Sequence, residues 1–185
     1  LDMARPEVSL ETRKTTLAVA EQDYSLGGAG NVAANAASLA VRRIHVFGIV
    51  TDDVFGREML QRMRRQKFHV GGLVRQNDRW QTPVYAKPYA RSIEQNRIDF
   101  GRRNSLSLIS EKKLIATLRD EAPKDDAVIV NQQLPQSIFT PNVVRTLNDL
   151  ANKYPEKIFL VDSRHRTRDF RSMIWRNSIG ISFLA

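Results

Sequence analysis

The sequence predicts an α/β fold: a mainly parallel sheet flanked by helices, with a small β hairpin leaving it. Three observations carry this expectation. Short apolar, β-branched runs at Ile44–Val50, Ala127–Val130 and Lys157–Val161 read as buried strands. Amphipathic stripes at helical spacing alternate with these runs, as strand–loop–helix units do. A glycine cluster, Gly27, Gly28 and Gly30, leads into the Ala-rich run Ala33–Ala37, which reads as a tight loop feeding a closely packed helix.

Composition narrows the function. A chain of 185 residues is long enough for one domain with a sizeable core, and 42% apolar residues is ordinary for a globular protein. No apolar run approaches the roughly 18 residues of a membrane span, and Leu1–Pro6 has no signal-peptide core. The absence of cysteine excludes disulfides and thiolate metal sites and suits a cytoplasmic enzyme. The excess of 29 Lys+Arg over 20 Asp+Glu gives +9, which favours an anionic partner. The basic residues are dispersed, and the clusters Arg62–Lys67 and Arg164–Arg168 lack interleaved aromatics, so nucleic acid is disfavoured. Arg62–Lys67 reads as a solvated basic face, and a phosphorylated small molecule also suits the charge.

In chain order, Leu1–Ser9 carries no clear signal, and Thr15–Glu21 reads as a short strand. Asn31 is placed to cap a helix over residues 31–39. His45 interrupts the strand that follows and reads as a surface or cross-strand residue rather than a ligand. Asp52 or Asp53 caps a helix running to about Lys67, whose core stripe is Met59, Leu60 and Met63. Val70–Val74 is another strand. Residues 82–100 then break the alternation: Pro83–Tyr89 and Arg97–Phe100 form a hairpin with its turn near Ser92–Asn96. Arg97 and Asp99 share a strand face and can pair. Ser110 caps a helix striped by Leu114, Ile115 and Leu118, and Thr140–Pro141 opens another. Ile179–Ala185 reads as a last strand.

Two strand ends concentrate polar groups where α/β sheets bind ligands: Asn131-Gln132-Gln133 after Val130, and Asp162-Ser163-Arg164-His165-Arg166 after Val161. Asp162 with the following cations can orient a phosphate or a metal, or Asp162 can pair structurally with Arg164 or Arg166. The glycine cluster has its own alternatives. It is a loop capping an ordinary core helix, or, through Gly28, Gly30 and Ala33, a relaxed dinucleotide fingerprint for an NAD(P)-dependent oxidoreductase. The fingerprint needs a strand running into its first glycine, and Glu21–Ser25 are poor strand material.

Gly27-Gly28-Ala29-Gly30-Asn31 with its Ala-rich continuation resembles the first signature of the ribokinase-like (PfkB) carbohydrate kinases. The branch containing the heptose-7-phosphate kinases is the most similar. Asp53 and Gly56 match its Gly-x-Asp-x-x-Gly, with Thr51 in place of the first glycine, and Arg97-Ile98-Asp99-Phe100 matches its lid pattern. The resemblance implies a ribokinase-like fold and ATP- and Mg2+-dependent phosphoryl transfer to a sugar or sugar phosphate. It implies that Gly27, Gly28, Asn31 and Gln133 bind the sugar, with Arg97 in a lid over residues 82–100 that covers the site and mediates a homodimer. Gln133 stands where some members carry an acidic sugar ligand, and Asp162 and Arg164 fall near the family's phosphate path. The opening strand, the Pro-Asn-x-x-Glu stretch and the catalytic Gly-x-Gly-Asp have no counterpart in these 185 residues; Trp175-Arg176-Asn177-Ser178 stands where the second would fall. The expectation is therefore an incomplete kinase domain carrying the sugar-binding and lid part, without its catalytic base. A non-catalytic fragment or pseudo-kinase that binds sugar or dimerises is the alternative.

Overall fold

A computed structural model describes residues 1–135 and 138–176. The chain divides into two compact units, one formed by Leu1–Ser25 with Pro83–Arg102, the other by Leu26–Thr82 with Arg103 onward.

The smaller unit is built of antiparallel strand pairs. Strand β1 (Asp2–Val8) pairs with β2 (Thr15–Ala18), so the unassigned N-terminal stretch is a strand. Strand β5 (Val84–Ala86) pairs with β8 (Ile98–Phe100), and β6 (Tyr89–Ala90) with β7 (Ile93–Glu94). The expected hairpin is therefore present as two nested pairs. Its turn lies at Arg91–Ser92, earlier than expected, with φ of 48° and 66°. Positive φ at both central positions matches the strand twist of a tight hairpin, although neither residue is glycine.

In the larger unit the strand pairings are parallel. Strand β3 (His45–Val50) pairs with β4 (His69–Arg75), and β10 (Ile158–Ser163) lies between β9 (Ala127–Gln132) and β11 (Ile174–Arg176). Helices α1 (Gly28–Ser38) and α2 (Val54–Arg65) supply Ala33, Ala37, Met59 and Met63 to a cluster with Val46, Val70 and Leu73. Helices α3 (Leu108–Glu121) and α4 (Pro141–Lys153) supply Leu114, Leu118, Val143 and Leu147 to a second, with Ile49, Val74, Val130, Phe159 and Val161. Alternation along β3 sends Val46 to the first cluster and Ile49 to the second, which is how the unit is wound on both faces. Residues 179–185, read as a last strand, lie outside the described residues.

Three helix starts show how sequence signals resolve. Asp53 caps α2, its Oδ1 accepting from the Gly56 amide at 2.6 Å, while Oδ2 accepts from the Thr82 amide at 2.8 Å. Gly56 tolerates no side chain there: a Cβ would lie 2.1 Å from the Thr51 carbonyl oxygen. Thr140 caps α4 and also donates to the buried Glu111. Helix α3 starts earlier than expected. Ser107, not Ser110, is its cap and accepts from the Ser110 amide at 3.1 Å. Leu108 and Ile109 face solvent in the first turn, so the buried stripe begins only further on. His45 is a cross-strand residue as expected. It pairs in register with His69, with ring centroids 4.6 Å apart, and its side chain is buried rather than on the surface.

Candidate functional site

Helix α1 begins at Gly28, three residues before the expected cap. The glycines are therefore not a loop ahead of the helix but its cap and first turn. Gly27 is the N-cap and makes no side-chain cap bond, and Asn31 lies inside the helix with its side chain exposed. Packing explains the early start. A Cβ on Gly30 would lie 2.5 Å from the Leu26 Cβ, so only glycine lets the first turn sit against that buried side chain. A Cβ on Gly27 would meet nothing within 4 Å, so the entry to the helix faces open space. The first-turn N–H groups of α1 have no partner within the helix, as at any helix start.

The start of α1 meets the C-terminal end of β9. A Cβ on Gly28 would lie 3.2 Å from Asn131 Oδ1 and 3.3 Å from Gln133 Cγ. Both amides point across to β10. Asn131 Nδ2 donates to Asp162 Oδ2 at 3.0 Å, and Gln133 Nε2 donates to the same oxygen at 3.1 Å. The other carboxylate oxygen, Asp162 Oδ1, is buried and accepts no hydrogen bond among the described residues. A buried carboxylate oxygen without a donor is costly, and a ligand's hydroxyl would satisfy it.

The expected structural pairs of Asp162 with Arg164 or Arg166 are not formed among the described residues. Arg166 does not pair with Asp162: its Nε binds Asp169 at 2.7 Å. The Arg164 side chain is exposed, and its backbone amide donates to the Gln132 carbonyl at 3.0 Å. Both arginines follow the strand end, where the chain turns away, whereas Asp162 stays in register with Asn131 on β9. The structure thus brings together Gly28, Gln133 and Asp162 of the expected residues. Arg97 belongs to the other unit. There its guanidinium binds Asp99 at 2.6 and 3.0 Å and lies 4.1 Å from the Tyr85 ring centre, realising the expected Arg97–Asp99 contact. The Asp99 hydrogen bond raises the guanidinium pKa above its ordinary value.

Two amides that the sequence placed at this strand end take roles it did not assign. Asn131 is the first donor to Asp162. Gln132, between the two donors, is fully buried on the opposite face. Its Oε1 accepts from Ser163 Oγ at 2.6 Å and the His165 amide at 3.1 Å, and its Nε2 donates to the Leu134 carbonyl at 2.6 Å. Gln132 therefore ties the ends of β9 and β10 together. Period-two alternation over three consecutive amides is the signal that could have assigned these roles.

Among the described residues no group of three or more His, Asp or Glu side chains is placed to hold a metal ion. No helix among them is long and apolar enough to cross a membrane. No strand runs into Gly27: β2 ends at Ala18 and residues 19–27 are irregular, so the dinucleotide fingerprint lacks its required context.

A family model described as pfkB family carbohydrate kinase matches residues 1–167. The Bifunctional protein HldE of Wolinella succinogenes is 28% identical over 159 residues, which cover 86% of this chain and 33% of that protein. The Bifunctional protein HldE of Rhodopseudomonas palustris is 28% identical over 154 residues, covering 83% and 31%. This chain therefore spans about a third of the length of these curated relatives. A crystal structure from E. coli, described as a ribokinase II in its apo form, matches with a TM-score of 0.51 at 14% identity, over 76% of this chain and 43% of that one. At that identity the likeness speaks for the fold alone, which is ribokinase-like.

Proposed function

Because the chain belongs to the pfkB family of carbohydrate kinases, we propose that it carries the sugar-binding part of an enzyme that transfers a phosphoryl group from ATP to a hydroxyl of a sugar or sugar phosphate. One observation carries the placement of the sugar: the buried, donor-less Asp162 Oδ1 beside the start of α1. A sugar hydroxyl donates to that oxygen. The open approach at Gly27 and the spare N–H groups of the first turn of α1 receive further hydroxyl oxygens or an anionic substituent. Gln133, whose amide lies at the strand end, adds a contact, and Asn31 reaches the same helix start from within α1.

Binding of this kind positions the acceptor hydroxyl for attack, and positioning is a large part of phosphoryl-transfer catalysis. ATP and Mg2+ supply the phosphoryl group and its charge neutralisation in such kinases. Arg97 is engaged with Asp99 and Tyr85, so the reading rests on the α1, β9 and β10 residues.

Heptose 7-phosphate is the first substrate to try, because the sequence resembles the heptose-7-phosphate kinase branch. The test is calorimetric titration of the intact protein with heptose 7-phosphate, ribose and fructose, on wild type and Asp162→Asn. Asp162→Asn should weaken sugar binding at least tenfold, since one good hydrogen bond to a charged group is worth about 1.5–3 kcal/mol. Wild-type affinity in that variant would remove Asp162 from the site.

A further inference from the structure

We infer that Asn131 is the positioning residue of this site, holding the Asp162 carboxylate in the orientation that presents Oδ1 to the substrate; this rests on the reading of Asp162 as a sugar ligand. Two amides donate to Asp162 Oδ2, and they are not equivalent. Asn131 is the register partner of Asp162 across the β9–β10 ladder, so its backbone is fixed by the sheet. Gln133 lies one residue beyond the end of β9 and carries one more methylene. A side chain past the strand end, on a longer stem, can turn toward a ligand. One whose backbone is fixed in the ladder, on a shorter stem, has less reach.

The Asn131 amide also lies beside the start of α1. Its Oδ1 lies 3.2 Å from where a Cβ on Gly28 would sit, so the glycine leaves the space in which the amide is held. Turning it over would set the carbonyl oxygen against the carboxylate, where two acceptors repel. Only the observed orientation donates to Asp162 Oδ2. With Oδ2 tied down by Asn131, the carboxylate cannot swing, and Oδ1 is left as the oxygen without a donor. Asn131 thus acts on the sugar through Asp162, while Gln133, past the strand end, can exchange its bond to Asp162 for a direct contact with the sugar.

A double-mutant cycle on the intact protein tests this assignment, with heptose 7-phosphate affinity and thermal midpoint as readouts. Asn131→Leu keeps the volume and removes the donor. Expected are an affinity loss of about tenfold in the wild-type background, a near-unchanged thermal midpoint, and no further loss when Asn131→Leu is added to Asp162→Asn. Full additivity of the two losses, or wild-type affinity in Asn131→Leu, would overturn the assignment. If Asp162→Asn itself binds like wild type, the reading of Asp162 fails and takes the positioning role with it. If Asp162→Asn loses binding while Asn131→Leu does not, the positioning role alone fails. Should Asn131→Leu not fold, Asn131→Ser, polar but too short to reach, completes the same cycle.

Discussion

Alanine at Gly28 and alanine at Gly30 should give opposite phenotypes, although the two residues are one apart at the same helix start. Both replacements raise helix propensity, by up to about 1 kcal/mol in a helix interior and less in a first turn. What the new Cβ meets differs. At Gly30 it falls 2.5 Å from the Leu26 Cβ, an atom bonded directly to the backbone inside the α1–α2 core. Relief requires backbone movement, and such overpacking costs about 1–3 kcal/mol. Gly30→Ala should therefore lose about 1–2 kcal/mol of stability after the propensity gain. At Gly28 the Cβ meets Asn131 Oδ1 at 3.2 Å and Gln133 Cγ at 3.3 Å, both in side chains that can give way by a few tenths of an ångström. Stability should stay within about 0.5 kcal/mol of wild type, as for substitutions away from the core. The displaced amides, however, are the two that hold Asp162. Losing about half of one charge-assisted bond, roughly 1 kcal/mol, predicts a five- to tenfold weaker sugar affinity. Urea unfolding followed by circular dichroism reads the first quantity, and calorimetric titration with heptose 7-phosphate reads the second. A Gly28→Ala variant with wild-type affinity, or one as destabilised as Gly30→Ala, would refute the geometry on which the site is built.

Three further outcomes are expected. Gln132→Leu strips partners from Ser163 Oγ, the His165 amide and the Leu134 carbonyl at a fully buried position, and should cost about 3 kcal/mol in urea unfolding; an unchanged midpoint would show that water replaces those bonds. Asp53→Ala should lose about 2 kcal/mol, having given up both the α2 cap and the Thr82 contact, whereas Asp53→Ser keeps the cap and should lose about 1 kcal/mol. Amide exchange separates these roles, because only the Thr82 amide should become unprotected in Asp53→Ser. In the smaller unit, hydrogen bonds from the Tyr89 hydroxyl and Lys87 to Glu94 hold that carboxyl below its usual pKa and push the Tyr89 phenol up. The contact is complete above the ordinary glutamate value and is lost as pH falls through the lowered one. An NMR titration that finds Glu94 protonating at or above the ordinary value would contradict it.

Local pattern in the chain was enough for much of the architecture. The β-branched runs of β3, β9 and β10 mark strands by their length and apolarity, although Ile129 and Ile158 stay exposed. Asp53 and Thr140 announce their helices because a cap acts over three residues. Arg97 and Asp99 meet because alternate residues share a strand face. The start of α1 was not legible in this way. Asn31 has the chemistry of a cap, but the buried Leu26 side chain selects glycine inside the first turn and moves the start to Gly28.

The site itself is divided along the same line. Sequence alone determined that amides and an acid stand at the ends of two parallel strands, and that a glycine-led helix begins elsewhere in the chain. Only the tertiary structure decided which amide serves which purpose. Asn131 and Asp162 are 31 residues apart, and their pairing exists only because β9 and β10 align in that register. A shift of one residue would place Gln132 against the carboxylate and bury Asn131 instead. The donor-less oxygen of Asp162 likewise depends on what surrounds it, and burial is set by packing between distant segments rather than by any residue's own preference.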